Sequence, residues 1–309
     1  MWRAASRPQK IIAALLLLAG IGTGSLAVSG RPFTSRPGHP AAAQPSAALL
    51  VPHPTVAPAE IHRAPAHPAP GREIRHGRFI TMCGFHEHRI AGSRQYSFNV
   101  IENDNFGGQA ECVRTDLHPD FTVTRSAAVV YAWQAYPVIW RGCSWGVCSP
   151  LAHLPLRVSS LGRGEPWVTW STRQRAPGRW NAAIDMWFSA TSSRTGPYEA
   201  EVMVWIGTHL VYPLHDAPVF AIDHAFWQFR TWQTHFTPLA GSVLRWRYIQ
   251  FRREGSVTAV THLRLRPFIV QAEELGLIQP GWYLDSVMGG FEIVQGGTGL
   301  ATTYFHASP

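Results

Sequence analysis

No GxGxxG turn, glycine-rich phosphate loop or HExxH pair occurs in this sequence. The backbone amides and paired imidazoles that serve dinucleotides, triphosphates and catalytic zinc are therefore missing as local patterns. No internal repeat stands out, and helical periodicity is scarce. Concentrated basic charge is also lacking where it would matter. The formal net charge is +8, but residues 1–78 hold nine Lys or Arg against two Glu, leaving eighteen Arg against seventeen acidic residues in 79–309. A phosphate-binding face needs clustered positive charge, so nucleic acid is not an expected partner.

The first 78 residues do not read as folded protein. Arg3, Arg7 and Lys10 precede the apolar run 11–28, IIAALLLLAGIGTGSLAV. That order is the order of an export signal, and residues 1–30 are read as a signal peptide or N-terminal anchor. A single-span anchor competes because the run sits near the lower limit for crossing a bilayer, although Gly20, Gly22, Thr23, Gly24 and Ser25 dilute its second half. Residues 31–78 are rich in Pro, Ala and His and show no apolar period. They cannot bury enough surface to offset their ordering entropy, and are read as a disordered linker. Its histidines (His39, His53, His62, His67, His76) lack ligand spacing. The expected location is extracellular, with membrane attachment only if the N-terminal segment stays uncleaved.

The remaining stretch, 79–309, is read as one β domain. Short β-rich runs such as RQYSFNVIEN, PWVTWSTR, NAAIDMWFSA and AEVMVWIG are separated by Gly, Pro, Asn or Asp, which signals an antiparallel sandwich or barrel. Only 265–278, LRPFIVQAEELGLI, reads as a helix, with Pro267 in its first turn and Gly276 at its end. Twelve of the thirteen tryptophans lie here. Their flat faces suit sugar rings, though at least half are expected in the core. The four cysteines, Cys83, Cys112, Cys143 and Cys148, form an even set suited to two disulfides. Three pairings are open. The turn-like SWGV makes closure of Cys143 on Cys148 easy, which would leave Cys83 with Cys112.

Two acidic residues sit inside apolar strand-like stretches, Glu201 in YEAEVMVWIG and Glu292 in MGGFEIVQGGTGL. A carboxylate facing an apolar environment is costly unless partnered or protonated, which marks both as candidates for chemistry. Strand parity puts Glu201, Met203 and Trp205 on one face and Val202, Val204 and Ile206 on the other. By the same rule Glu292 shares a face with Met288, Gly290 and Val294, and Asp185 shares one with Trp187. The competing reading is that each acid merely faces solvent on a one-sided sheet.

These segments resemble glycoside hydrolase family 12, the β-jelly-roll endoglucanases, over most of 80–304. YEAEVMVWIG resembles the family's nucleophile strand, GWYLDSVMGGFEIVQGGTGL its acid/base strand, YPVIWRGCSWGVCSP its Tyr-Pro segment and small disulfide loop, and AIDMWF the strand whose Asp supports the nucleophile. The resemblance implies two antiparallel sheets with a concave substrate cleft. It implies Glu201 as nucleophile, Glu292 as acid/base and Asp185 as the neighbour of Glu201. Met203, Asn103, Phe106, Trp205 and Tyr136 would contact substrate, and the disulfides would be Cys83–Cys112 and Cys143–Cys148. The family's Asn-Asn-x-Trp-Gly segment stands here as Asn103, Asp104, Asn105, Phe106, Gly107, and Val294 replaces a Trp commonly found after the acid/base.

The function so implied is a retaining endo-hydrolase of β-1,4-glucans, working as a monomer with no cofactor and no metal. Its rivals are a carbohydrate-binding sandwich without catalysis and a structural surface protein.

Overall fold

A computed structural model describes residues 79–93, 97–104, 111–126, 135–162, 166–211, 216–234 and 245–309. The segments 1–30 and 31–78, and Phe106, lie outside the described residues. In chain order the strands are β1 (Ile80–Met82), β2 (Glu87–Ser93), β3 (Ser97–Asp104), β4 (Cys112–Thr115), β5 (Phe121–Arg125), β6 (Tyr136–Ser144), β7 (Val147–Cys148) and β8 (Leu156–Arg157). There follow β9 (Trp167–Arg173), β10 (Gly178–Ser189), β11 (Ala200–His209), β12 (Val219–Ile222), β13 (Ala225–Gln233), β14 (Arg247–Arg253), β15 (Ala259–Arg264), the helix α1 (Arg266–Glu274), β16 (Tyr283–Gly296) and β17 (Ala301–Ser308).

These strands make the expected all-β jelly-roll sandwich. The smaller sheet runs β1-β4-β5-β17-β9-β15, the larger β12-β13-β14-β11-β10-β16-β6-β3-β2. Paired strands run antiparallel except β11 and β14, which are parallel. Alternation explains the layering. Even-numbered residues of β10 and β11 (Ala182, Ile184, Met186, Phe188; Val202, Val204, Ile206) join the core between the sheets, where Val168, Trp170 and Phe305 of the smaller sheet meet them. Fully buried Trp170 also donates its Nε1–H to Thr302 Oγ1 at 3.1 Å, so its one polar atom is satisfied.

Helix α1 starts with a proline in its first turn, where a missing N–H is no loss. It closes with Gly276 at φ 70°. There Gly276 N–H reaches Glu273 O and Leu277 N–H reaches Ala272 O, both at 2.9 Å, which is the Schellman pattern that glycine permits. Phe268 and Ile269 pin the helix to the core.

Of the eleven described tryptophans seven are buried, but only Trp170, Trp180 and Trp227 lie between the sheets. Trp140, Trp187, Trp205 and Trp246 are buried in two other clusters, on the larger sheet's outer face. At least half of the described tryptophans are thus core, as expected, but the core has a second part on the outer, concave side of the larger sheet.

Both disulfides close as Cys83–Cys112 and Cys143–Cys148, with sequence separations of 29 and 5. Loop-closure entropy then ranks them. Replacing the first pair by serines should cost about 3.5 kcal/mol and the second about 2 kcal/mol, read as loss of unfolding free energy in denaturant titrations. Equal losses would contradict the ranking.

Candidate active site

Odd positions of β10 and β11, even positions of β14 and, past a bulge, even positions of β16 from Ser286 onward turn onto the concave face. The register fixes who meets whom. On β10, Asn181 is opposite Glu292, Asp185 is opposite both Met203 and Met288, and Trp187 is opposite Glu201. Strand β10 thus runs between the two glutamates and carries Asp185 on the same face.

Each glutamate has one strong donor. Trp246 Nε1–H donates to Glu201 Oε2 at 2.7 Å. Asn181 Nδ2 donates to Glu292 Oε2 at 2.5 Å. Glu201 is 8% exposed and Asp185 is fully buried, with neither of its oxygens hydrogen-bonded among the described residues. Burial is the main cause that raises all three carboxyls above their usual range, Glu292 to about 7. Next come the charges of Asp185 and Glu292 on Glu201, and of Glu292 on Asp185, both raising. The indole and the amide pull the other way. Three acids withdrawn from water and within reach of one another's charge cannot all ionise together, so the set keeps at least one proton.

The other candidates divide. Met203 is buried beside Glu201, and Tyr248 donates its hydroxyl to the Met203 sulfur at 2.8 Å. Trp205 shares that cluster, where Trp232 stacks on Tyr248 at 4.1 Å between ring centres. Tyr136 lies against Gly290, where an added Cβ would be 2.7 Å from its ring and 2.8 Å from Pro137 O. The close approach that glycine allows is thus taken by Tyr136. Among the described residues its buried hydroxyl has no hydrogen-bond partner, and it feels the charges of Asp185, Glu292, Glu201 and Asp104. Asn103 is fully buried and donates Nδ2 to the carbonyls of Glu111 (3.1 Å) and Gly84 (3.4 Å), a backbone-bracing role rather than an exposed contact.

Sequence reasoning missed Asn181 and Trp246. Asn181 was within reach, since parity on β10 already places it on the face of Asp185. Trp246 has no local signal, because only the parallel pairing of β11 with β14 brings it to Glu201.

No family model matches the sequence, and no curated protein matches it. Solved structures do. A metagenome-derived glycoside hydrolase family 12 endoglucanase is 33% identical with a TM-score of 0.65, covering 75% of this chain and 97% of its own. An endoglucanase of Rhodothermus marinus is 32% identical with a TM-score of 0.64, covering 74% and 98%.

The chain belongs to glycoside hydrolase family 12.

A family 12 xyloglucanase from Bacillus licheniformis, 18% identical with a TM-score of 0.62 over 74% of this chain and 99% of its own, shares the fold. Within this family 12 fold a hollow of about 430 Å³ lies elsewhere, among Glu199, Arg247, Leu277 and Trp282, and contains none of the three buried acids.

The raised acids have a consequence for stability. A carboxyl whose folded pKa exceeds its unfolded value stabilises the fold while protonated and loses that contribution as pH rises through the folded pKa. Glu292 and Asp285, both raised to about 7, and Glu111, raised to about 8, act in this sense. Glu87 and Asp116 are lowered and act oppositely, at more acidic pH. The melting temperature should therefore fall between pH 5 and pH 8, by roughly 5 °C or more. Calorimetric scans showing a flat or rising melting temperature over that range would contradict the burial argument.

Proposed function

We propose that this family 12 protein is a secreted, retaining endo-β-1,4-glucanase that acts by double displacement. The observation supporting it best is the placement of Glu201 and Glu292 on strands flanking β10, on one buried concave face, with Asp185 between them. The endoglucanase neighbours above 30% identity supply the substrate class.

In this reading the Glu201 carboxylate attacks the anomeric carbon while the protonated Glu292 gives its proton to the departing glycosidic oxygen. The C–O bond breaks and a glycosyl ester forms on Glu201. Glu292, now ionised, takes a proton from water. That water attacks the same carbon and displaces Glu201, restoring both groups with net retention. Asp185 stands on the same face between the two glutamates with neither oxygen hydrogen-bonded among the described residues, so it acts on Glu201 through its charge and not through a bond, and Trp246 and Asn181 orient the two glutamates. The chemistry needs two carboxyls of unlike protonation and no cofactor.

The substrate is a soluble cellulose, mixed-linkage glucan or xyloglucan, with Tyr136, Met203 and Trp205 lining the path. Secretion follows from the N-terminal charge-then-apolar order and two disulfides. Among the described residues no helix is long and apolar enough to cross a membrane. The protein is taken to be a monomer.

Glu201→Gln should lower kcat on soluble glucan by at least roughly a thousandfold with KM little changed. Glu292→Gln should lower it by about a hundred- to ten-thousandfold on glucan and far less on aryl cellobiosides that leave without a proton. The wild-type kcat/KM should decline above about pH 7, where Glu292 loses its proton. A Glu201→Gln protein that releases reducing sugar at the wild-type rate would favour another site. Absence of glucan cleavage by the wild type, with binding retained, would favour a carbohydrate-binding protein.

A further inference from the structure

A second cluster of chemically able side chains lies on the same large sheet, away from β10 and β11. His86, in the turn before β2, and Glu102 and Asp104 of β3 each offer one donor atom, and these atoms lie within 4.8 Å of one another. His86 Nδ1 is 2.5 Å from Glu102 Oε1 and 3.1 Å from Asp104 Oδ1. The second approach lacks hydrogen-bond geometry, and Asp104 Oδ1 is buried without such a bond.

An independent observation comes from β4's approach. Glu111 is 2% exposed, and among the described residues its Oε1 has no hydrogen-bond partner and its Oε2 receives a 3.4 Å bond from Ser126. It lies close enough to Asp104 to feel its charge. Two carboxyls thus share one imidazole and a third is close enough to add its charge, so the protein supplies less positive charge than the acids call for. The framework holding them is stiff. The Cys83–Cys112 disulfide ties the His86 turn to the residue after Glu111, and Asn103 bonds the carbonyls of both Gly84 and Glu111. His86 itself takes the left-handed conformation at φ 54°, uncommon for a residue with a side chain.

We infer that His86, Glu102 and Asp104 form a binding site for a divalent transition-metal cation of the zinc type. One nitrogen and two carboxylate oxygens, with a further position left for water, suit zinc or manganese, whereas calcium and magnesium take oxygen ligands almost alone. Zinc bonds of about 2.0–2.1 Å set tetrahedral donors roughly 3.3 Å apart. The His86–Glu102 pair need open by less than about 1 Å as the ion replaces the proton between them. The three ligands come from two separate stretches of chain, so no local spacing reveals them. The site is independent of the roles given to Glu201 and Glu292.

The test is calorimetric titration of chelator-treated full-length protein with zinc at pH 7, comparing wild type with the isosteric Asp104→Asn and with His86→Ala. The N-terminal histidines are common to all three proteins, so their binding cancels. The wild type should show one additional saturable site, weakened at least tenfold in both variants. Zinc at about a hundredfold excess over Kd should raise the wild-type melting temperature by roughly 5 °C or more, and that of the variants by less. Identical isotherms for wild type and Asp104→Asn would overturn the site, and Asp104→Asn is read alone if His86→Ala unfolds. Tighter binding of calcium than of zinc would overturn the assigned class of ion.

Discussion

Withdrawing three carboxyl groups from water on one sheet face is the constraint around which this protein is arranged. Glu201, Asp185 and Glu292 are held in a polar minority among Trp, Met and Tyr, and burial outweighs their few donors in setting their protonation. An isolated buried carboxylate would be prohibitively costly. Three that feel one another's charge need not all be ionised, and in the proposed mechanism the proton retained by the set is the one given to the glycosidic oxygen.

The fold makes that arrangement rigid. Strand β10 is hydrogen-bonded on both sides, to β11 and to β16, so the positions of the two glutamates are fixed by backbone ladders and not by loops. Its even residues are anchored in the core between the sheets. The concavity that dries the outer face also gathers Trp140, Trp187, Trp205 and Trp246 there, where indoles serve as walls and, at Trp246, as a donor to Glu201.

How much of this was legible follows from the range of each signal. The two-residue period is local, so the split of Glu201, Met203 and Trp205 from Val202, Val204 and Ile206 could be read from ten residues and matches the clusters observed. Pro267 and Gly276 marked the helix for the same local reason. Strand order is a long-range property. Nothing near Trp246 shows that β14 runs parallel beside β11, and nothing near Asn103 shows that its amide braces two turns instead of facing a ligand. The tryptophans expected in the core divide between the space between the sheets and the outer face of the larger sheet, a division that no short pattern encodes. The gathering of His86 with Glu102 and Asp104 escaped for a related reason, since it depends on the pairing of β2 with β3.

The most direct test of the central claim is to trap the covalent intermediate. A 2-deoxy-2-fluoro cellobioside with an activated leaving group slows the oxocarbenium-like steps and lets the glycosyl ester accumulate. Mass spectrometry of the peptic digest should then find a single sugar adduct on Glu201 in the wild type. An adduct on another residue, or turnover with inversion and no adduct, would contradict the account.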